Sequence, residues 1–253
     1  MVGTTDAADE TSSRPCGRRR NGWRVGRQYL GEVALVAAMF ILYRIARQFT
    51  SDDLVAAFRN ARHIIALEER LRIDVEGWVQ RTSINIYWLV RLLNQYYVWM
   101  HFPVAVASLA GMLWLRRSAY TTCRNEMAAV TLAALVLHIA IPLAPPRLMP
   151  GYVDTLMVSG PSIYPASVIA GATNQIAAMP SLHFGWALLI ALWFRRYSTS
   201  RVRHLFLLHP LVMLIAVVAT ANHWVLDAVV AAVIVISVHL TFGRGARLPR
   251  SLA

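Results

Sequence analysis

Six long apolar runs constrain this chain more than anything else in its sequence. A helix that crosses about 30 Å of hydrocarbon needs roughly 20 predominantly apolar residues. Candidates lie near residues 28–46, 95–115, 126–143, 182–196, 204–221 and 224–243. The fourth run is short. The last two are nearly continuous in hydropathy and together far exceed one crossing, so they divide at Thr220-Ala221-Asn222, where Asn222 can cap the final helix. The fold expected is all-α: a polytopic membrane protein built as a bundle of six transmembrane helices, with an additional amphipathic helix at the interface.

With 57% hydrophobic and 15% charged residues, the chain is not an ordinary soluble domain with a polar surface. Its 25 basic residues are all arginine, against 13 acids. Lysine is thereby removed as a phosphate ligand or Schiff base, and every cationic site must be Arg or His. A net charge of +12 would suggest nucleic acid in a soluble protein. Here the arginines flank apolar spans and face anionic lipid, so no nucleic-acid partner is expected. Cys16 and Cys123 show neither metal-ligand spacing nor a disulfide framework, and both read as free thiols, Cys123 in a short arginine-flanked loop.

Residues 1–27 read as a basic cytoplasmic tail, 28–243 as the membrane catalytic domain and 244–253 as a second basic tail. The first apolar run is too long for a signal-peptide core and no small-residue cleavage site closes it, which makes it an uncleaved span. An even number of spans puts both termini on one side. That side carries sixteen arginines against eight on the other, so both termini are expected in the cytoplasm, with the protein in the plasma membrane. Between the first two spans, residues 51–94 form an extracytoplasmic segment. Leu54, Phe58, Ala61 and Ile65 share one helical face there while Asp52, Arg59, Arg62 and Glu69 lie elsewhere, the pattern of a helix in the membrane interface. Tyr87, Trp88, Tyr96, Tyr97 and Trp99 suggest an aromatic belt at the approach to the second span.

Three polar clusters interrupt the apolar sequence, and the arginine count places all three on the outer face: Pro145-Pro146-Arg147, Pro180-Ser181-Leu182-His183 and Asn222-His223-Trp224-Val225-Leu226-Asp227. His223 and Asp227, four residues apart on a helix, stack on one face, so the carboxylate can take the proton of one ring nitrogen and leave the other as a nucleophile. The bland alternative is a pair that satisfies itself within the bundle. His183 follows Pro180 and Ser181 at a helix start, whose free amides and positive dipole favour a phosphoryl group. Arg147, behind two prolines, can hold two phosphate oxygens with its planar fork, or else reach for lipid headgroups. The set can hold a phosphate, attack it and protonate its leaving group. His101 faces the outer half of the second span and can line the same cavity. His138 lies mid-span and reads as a neutral histidine bonded to a neighbour. His63, His204, His209 and His239 read as peripheral. A His and an Asp four apart, without the Glu and second His of the zinc helix motif, do not make a metal site, and no cofactor is expected.

Taken in order and in one topology, Ala144-Pro145-Pro146-Arg147, Met179-Pro180-Ser181-Leu182-His183 and His223 with Asp227 resemble the three elements of the type 2 phosphatidic acid phosphatase superfamily. Within it they resemble the branch of inositolphosphotransferases related to inositol phosphorylceramide synthase, as does the Tyr97-x-x-x-His101 stretch. The resemblance covers roughly residues 85–240. Classical lipid phosphatases of the superfamily open the first element with Lys and carry a Ser-Arg pair before the third. Here Lys is absent and Val217 stands where that Arg would be, which moves the chain toward the transferase branch. It also leaves Arg147 needing help at the phosphate from Asn222, Ser181 or backbone amides. The resemblance implies a metal-independent phosphotransferase: His223, oriented by Asp227, attacks a lipid-linked phosphate to give a phosphohistidine, His183 protonates the departing alkoxide, and a small alcohol such as inositol, or water, accepts the group. A plain lipid phosphatase acting on phosphatidate or a polyprenyl phosphate is the alternative. A non-catalytic headgroup transporter or binder is a third reading. The sequence leaves the lipid tail, the acceptor and the oligomeric state open.

Overall fold

Within hydrocarbon every backbone N–H and C=O must be satisfied inside its own segment, and the apolar runs answer with helices. A computed structural model describes residues 29–39, 41, 42, 45, 53–159 and 176–243. Both basic tails, Cys16, Asp52 and residues 28, 40, 43, 44 and 46 of the first expected span lie outside the described residues. The chain divides into two compact units, residues 1–42 and 43–253. The first contains the apolar helix α1 (Tyr29–Met39). The second contains α2 (Leu54–Leu71), α3 (Glu76–Ile84), α4 (Tyr87–Leu115), α5 (Arg117–Ala140), the short α6 (Thr155–Ser159), α7 (Leu182–Tyr197), α8 (Leu208–Ala219) and α9 (Val225–Gly243), with 3-10 turns at Pro146–Leu148 and Arg201–Leu207. No β-strand occurs among the described residues. One isolated parallel bridge joins Leu143 to Ala177.

Three helices are long and apolar enough to cross a membrane: Tyr87–Leu115, Arg117–Ala140 and Val225–Phe242. Of the six expected runs, these three reach that length among the described residues, and Tyr29–Met39 and Arg203–Ala219 form shorter apolar helices. The 182–196 run is a helix of 16 residues, rising about 24 Å, because it starts only at Leu182, after Pro180 and the Ser181 cap. The 204–221 run opens as a 3-10 turn and becomes α-helical only from Leu208, giving an apolar helix of Arg203–Ala219. The second span starts eight residues earlier than residue 95, at Tyr87, and runs through Pro103. The loop expected around Cys123 is instead helix: a single residue, Arg116, separates α4 from α5, and Cys123 is fully buried.

The main core lies between α4, α5, α7 and α9, where Met112, Tyr120, Met127, Leu189, Trp193 and Val235 pack together. The outward faces of α4, α5 and α9 carry Val106, Leu132, Val136 and Val233, each more than half exposed. Apolar surface of this kind suits lipid, not water. A second cluster sits at the end of the bundle that holds the polar elements, and joins Ala57 and Ala61 of α2 to Leu143, Ala144, Met149, Ala178, Met179, Trp224 and Leu226. Helix α2 is thus seated on the bundle through its small residues. Asp53 caps it by accepting from the Ala56 N–H at 2.8 Å, and Arg72 ends it in the left-handed region at φ 58°. Of the four residues expected on its apolar face, Ala61 is buried, Phe58 and Ile65 are half-buried and Leu54 is exposed.

Candidate active site

Backbone hydrogen bonds draw the three polar clusters together. Arg147 N–H donates to the Ala221 carbonyl at 2.8 Å, Ser181 N–H to the Asp227 carbonyl at 3.1 Å, and Leu143 brackets Ala177 at the isolated bridge, its N–H reaching Ile176 O at 2.6 Å and its carbonyl accepting the Ala178 N–H at 3.1 Å. The Trp224 indole N–H donates to the Ala144 carbonyl at 2.9 Å. Ala221 closes the turn between α8 and α9 with φ at 54°, a left-handed conformation that costs an L-residue with a Cβ. The bonds that converge on this turn hold it in place.

His223 is 6% exposed and Asp227 is fully buried. The His223 Nδ1 lies 2.9 Å from the Ala178 carbonyl and 3.2 Å from Asp227 Oδ2. Both neighbours are acceptors, so Nδ1 carries the proton and Nε2 is left with its lone pair. Asp227 Oδ2 also accepts the Trp224 N–H at 2.9 Å, which makes Asp227 the cap of the last helix. Asn222 does not take that part, contrary to expectation. Its Nδ2 donates to Thr220 Oγ1 at 2.6 Å, and its Oδ1 accepts from Arg147 Nη1 at 2.6 Å. Arg147 Nε lies 3.4 Å from Asp154 Oδ2, so the guanidinium is held from two sides and its side chain is 12% exposed.

His183 is half-buried, with its ring centroid 6.2 Å from that of His223. Tyr97 stacks on it at 4.1 Å and His101 lies against it at 4.2 Å, the latter stacked in turn on Trp186 at 4.4 Å. His101 therefore meets the site as part of an aromatic wall. Ser181 is fully buried and caps α7, accepting the Phe184 N–H at 3.4 Å. His138 is buried within α5 and bonds the Pro180 carbonyl at 3.2 Å, the role expected of a mid-span histidine. His209 bonds the Tyr96 hydroxyl at 2.6 Å. His239 is not peripheral: its Nδ1 is 3.1 Å from Glu126 Oε2, which also accepts the Trp193 indole N–H at 2.6 Å.

Sequence reasoning missed two buried acids beside the site. Glu68 and Glu76 are each 1% exposed. Glu68 Oε1 accepts the Leu226 N–H at 2.8 Å and Glu76 Oε1 accepts the Val225 N–H at 2.6 Å. Burial pushes the Glu68 carboxyl up to about 8 and raises Glu76 as well, with each other's charge adding to the effect on Glu68. The available signal was the spacing of Glu68 from Ala57, Ala61 and Ile64, which puts an acid on the face that α2 buries.

The membrane-length apolar helices, with a buried His-Asp pair beside a second histidine, define an all-helical membrane protein with a polar site at one end of its bundle. The match of the PAP2 superfamily model over residues 62–241 makes the family explicit, and the chain belongs to it. Members of that superfamily are phosphatases and phosphotransferases of lipid phosphates. No curated protein and no solved structure matches the chain.

Proposed function

We propose that the chain is a phosphotransferase of the outer leaflet, moving a phosphoryl or phosphoinositol-type group from a lipid to a small alcohol through a phosphohistidine. The observation that carries this reading is the pair of acceptors on His223 Nδ1, which fixes one tautomer and leaves Nε2 as the nucleophile. Nε2 attacks phosphorus in line, the bond from phosphorus to the leaving oxygen breaks, and His183 gives that oxygen its proton. Asp227 and the Ala178 carbonyl then face an imidazole that carries positive charge. In the second half an acceptor hydroxyl attacks phosphorus, the bond to Nε2 breaks, and His183 takes the hydroxyl proton, which restores both histidines. Arg147, set by Asn222 and Asp154, neutralises the phosphate oxygens. His101 shapes the wall behind His183, and Ser181 acts through the cap that presents it.

The architecture proposed around this site is six crossings, with α1, α7 and α8 supplying the shorter ones, both termini in the cytoplasm and residues 51–94 on the outer face of the plasma membrane. Val217 and the absence of lysine support the inositolphosphotransferase branch over plain hydrolysis. The test is phosphate release and phosphoryl transfer from lipid phosphates and phosphatidylinositol, with and without inositol, for the intact protein and His223→Ala in liposomes. Inositol-dependent product that vanishes in His223→Ala is the expected result. Free phosphate alone, independent of inositol, would assign the chain to the lipid phosphatases instead, and full activity in His223→Ala would sink the mechanism.

A further inference from the structure

The first two N–H groups of α9 have no partner within their own helix, as at any helix start. They belong to Val225 and Leu226, between His223 and Asp227, and they are taken by two carboxylic acids from other helices, Glu76 of α3 at 2.6 Å and Glu68 of α2 at 2.8 Å. The two amides are consecutive in one turn, so the carboxyls that take them are brought side by side. Two carboxylates in contact inside the protein repel, whereas a carboxylic acid and a carboxylate can share a proton between them. The groups facing this pair are Asp227 from α9 and Tyr152 from the turn after the Arg147 segment, and Tyr152 in turn feels the charges of Arg81 and Asp74. Asp227, the nearest of them on α9, adds negative charge. A shared proton keeps the arrangement in place.

We infer that Glu68 and Glu76 are positioning residues for the transfer reaction: as one acid and one carboxylate they pin the first turn of the last helix and thereby set His223 against its acceptors. This rests on His223 being the nucleophile. The pair touches no reacting atom. Its effect reaches the chemistry through Val225 and Leu226, whose backbone places the Asp227 carboxylate under His223 Nδ1. When Glu68 gives up its proton to solvent, two adjacent carboxylates face Asp227, the grip on the turn is pushed apart, and turnover falls while the phosphate clamp at Arg147 is untouched. Activity therefore drops as pH rises through about 8.

The experiment measures kcat and KM against pH for the intact protein, Glu68→Ala and Glu68→Gln in liposomes, beside His223→Ala. A carboxamide keeps the arrangement without a titratable proton: its oxygen accepts from Leu226 and its N–H donates to Glu76. The expected result is a loss of kcat of about 10- to 100-fold in Glu68→Ala with KM within about twofold. In Glu68→Gln, most of the lost kcat is recovered and the alkaline limb moves upward. If Glu68→Ala does not fold, the position of that limb in Glu68→Gln decides. An alkaline limb identical to that of the intact protein, or a folded Glu68→Ala with unchanged kcat, overturns the inference. Because His223→Ala is assayed in the same series, full activity in that variant would overturn the nucleophile assignment, while an inactive His223→Ala with an unmoved limb overturns only the positioning role.

Discussion

Asp227→Asn separates two things that a carboxylate can do for a histidine nucleophile: choose its tautomer and stabilise its charge. In many His-Asp pairs the acid does both, and the amide variant presents an N–H where an acceptor is needed. Here the Ala178 carbonyl is the closer partner of Nδ1, at 2.9 Å against 3.2 Å for Asp227 Oδ2, and a backbone carbonyl is unaffected by the substitution. The tautomer should survive. What is lost is a hydrogen bond to a charged group as positive charge develops on the ring, worth about 1.5–3 kcal/mol. That corresponds to a fall in kcat of about 10- to 150-fold. The Trp224 N–H retains an acceptor if the amide oxygen takes the place of Oδ2, so folding should be preserved. Steady-state turnover of a lipid phosphate in liposomes, with thermal unfolding as the control, measures it. A loss of about 10,000-fold in a folded variant would mean that Asp227 alone holds the tautomer. A loss under twofold would remove Asp227 from the mechanism.

Three further outcomes follow from other contacts. Asn222→Ala removes the 2.6 Å bond that orients Arg147 and leaves the guanidinium to Asp154; KM for a lipid phosphate should rise about 5- to 10-fold with kcat changed less, and an unaltered KM would refute the clamp. Trp193→Phe deletes the donor to Glu126 Oε2, whose sister oxygen Oε1 already lacks a partner; unfolding should cost about 1–3 kcal/mol less, read as a lower Tm, while kcat/KM stays as it was. The Glu68 carboxyl sits higher in the folded protein than its ordinary 4.5, near 8; its contribution to stability is complete below pH 4.5 and is lost as pH rises through about 8, so Tm in detergent should fall across that window and the fall should be smaller in Glu68→Gln.

The residues of the candidate site were legible because each is a polar break in an apolar run. A histidine or aspartate at such a place has few bland explanations. The contact of His223 with Asp227 was expected along one helix, but α9 starts at Val225, so His223 sits in the turn ahead of it and Asp227 reaches back from the first helical turn. What escaped are the contacts made by chain segments far apart. Glu76 and Val225 are 149 residues apart, and Glu68 and Leu226 are 158 apart. The spacing puts Glu68 on the face that α2 buries, but the sequence does not show that the start of the last helix is what covers that face. The cap of the last helix was misplaced because α9 starts at Val225, which leaves Asn222 two residues ahead of the capping position with its amide bonded to Arg147 and Thr220, while Asp227 accepts the Trp224 N–H from inside the first turn. Hydropathy likewise located the apolar runs without saying how much of each would be α-helix. The 3-10 turn before Leu208 shortens the α-helical part of the fifth run.

Helix α9 is fastened at two heights. Asp227 and His239 lie twelve residues apart on it, about 18 Å along the axis. The upper fastening ties it to the segment carrying Ala178 and Ser181, and the lower one ties it through Glu126 to α5. A rod bolted at both ends can neither slide nor swivel without breaking one joint. The turn that carries His223 is therefore mounted on a fixed post.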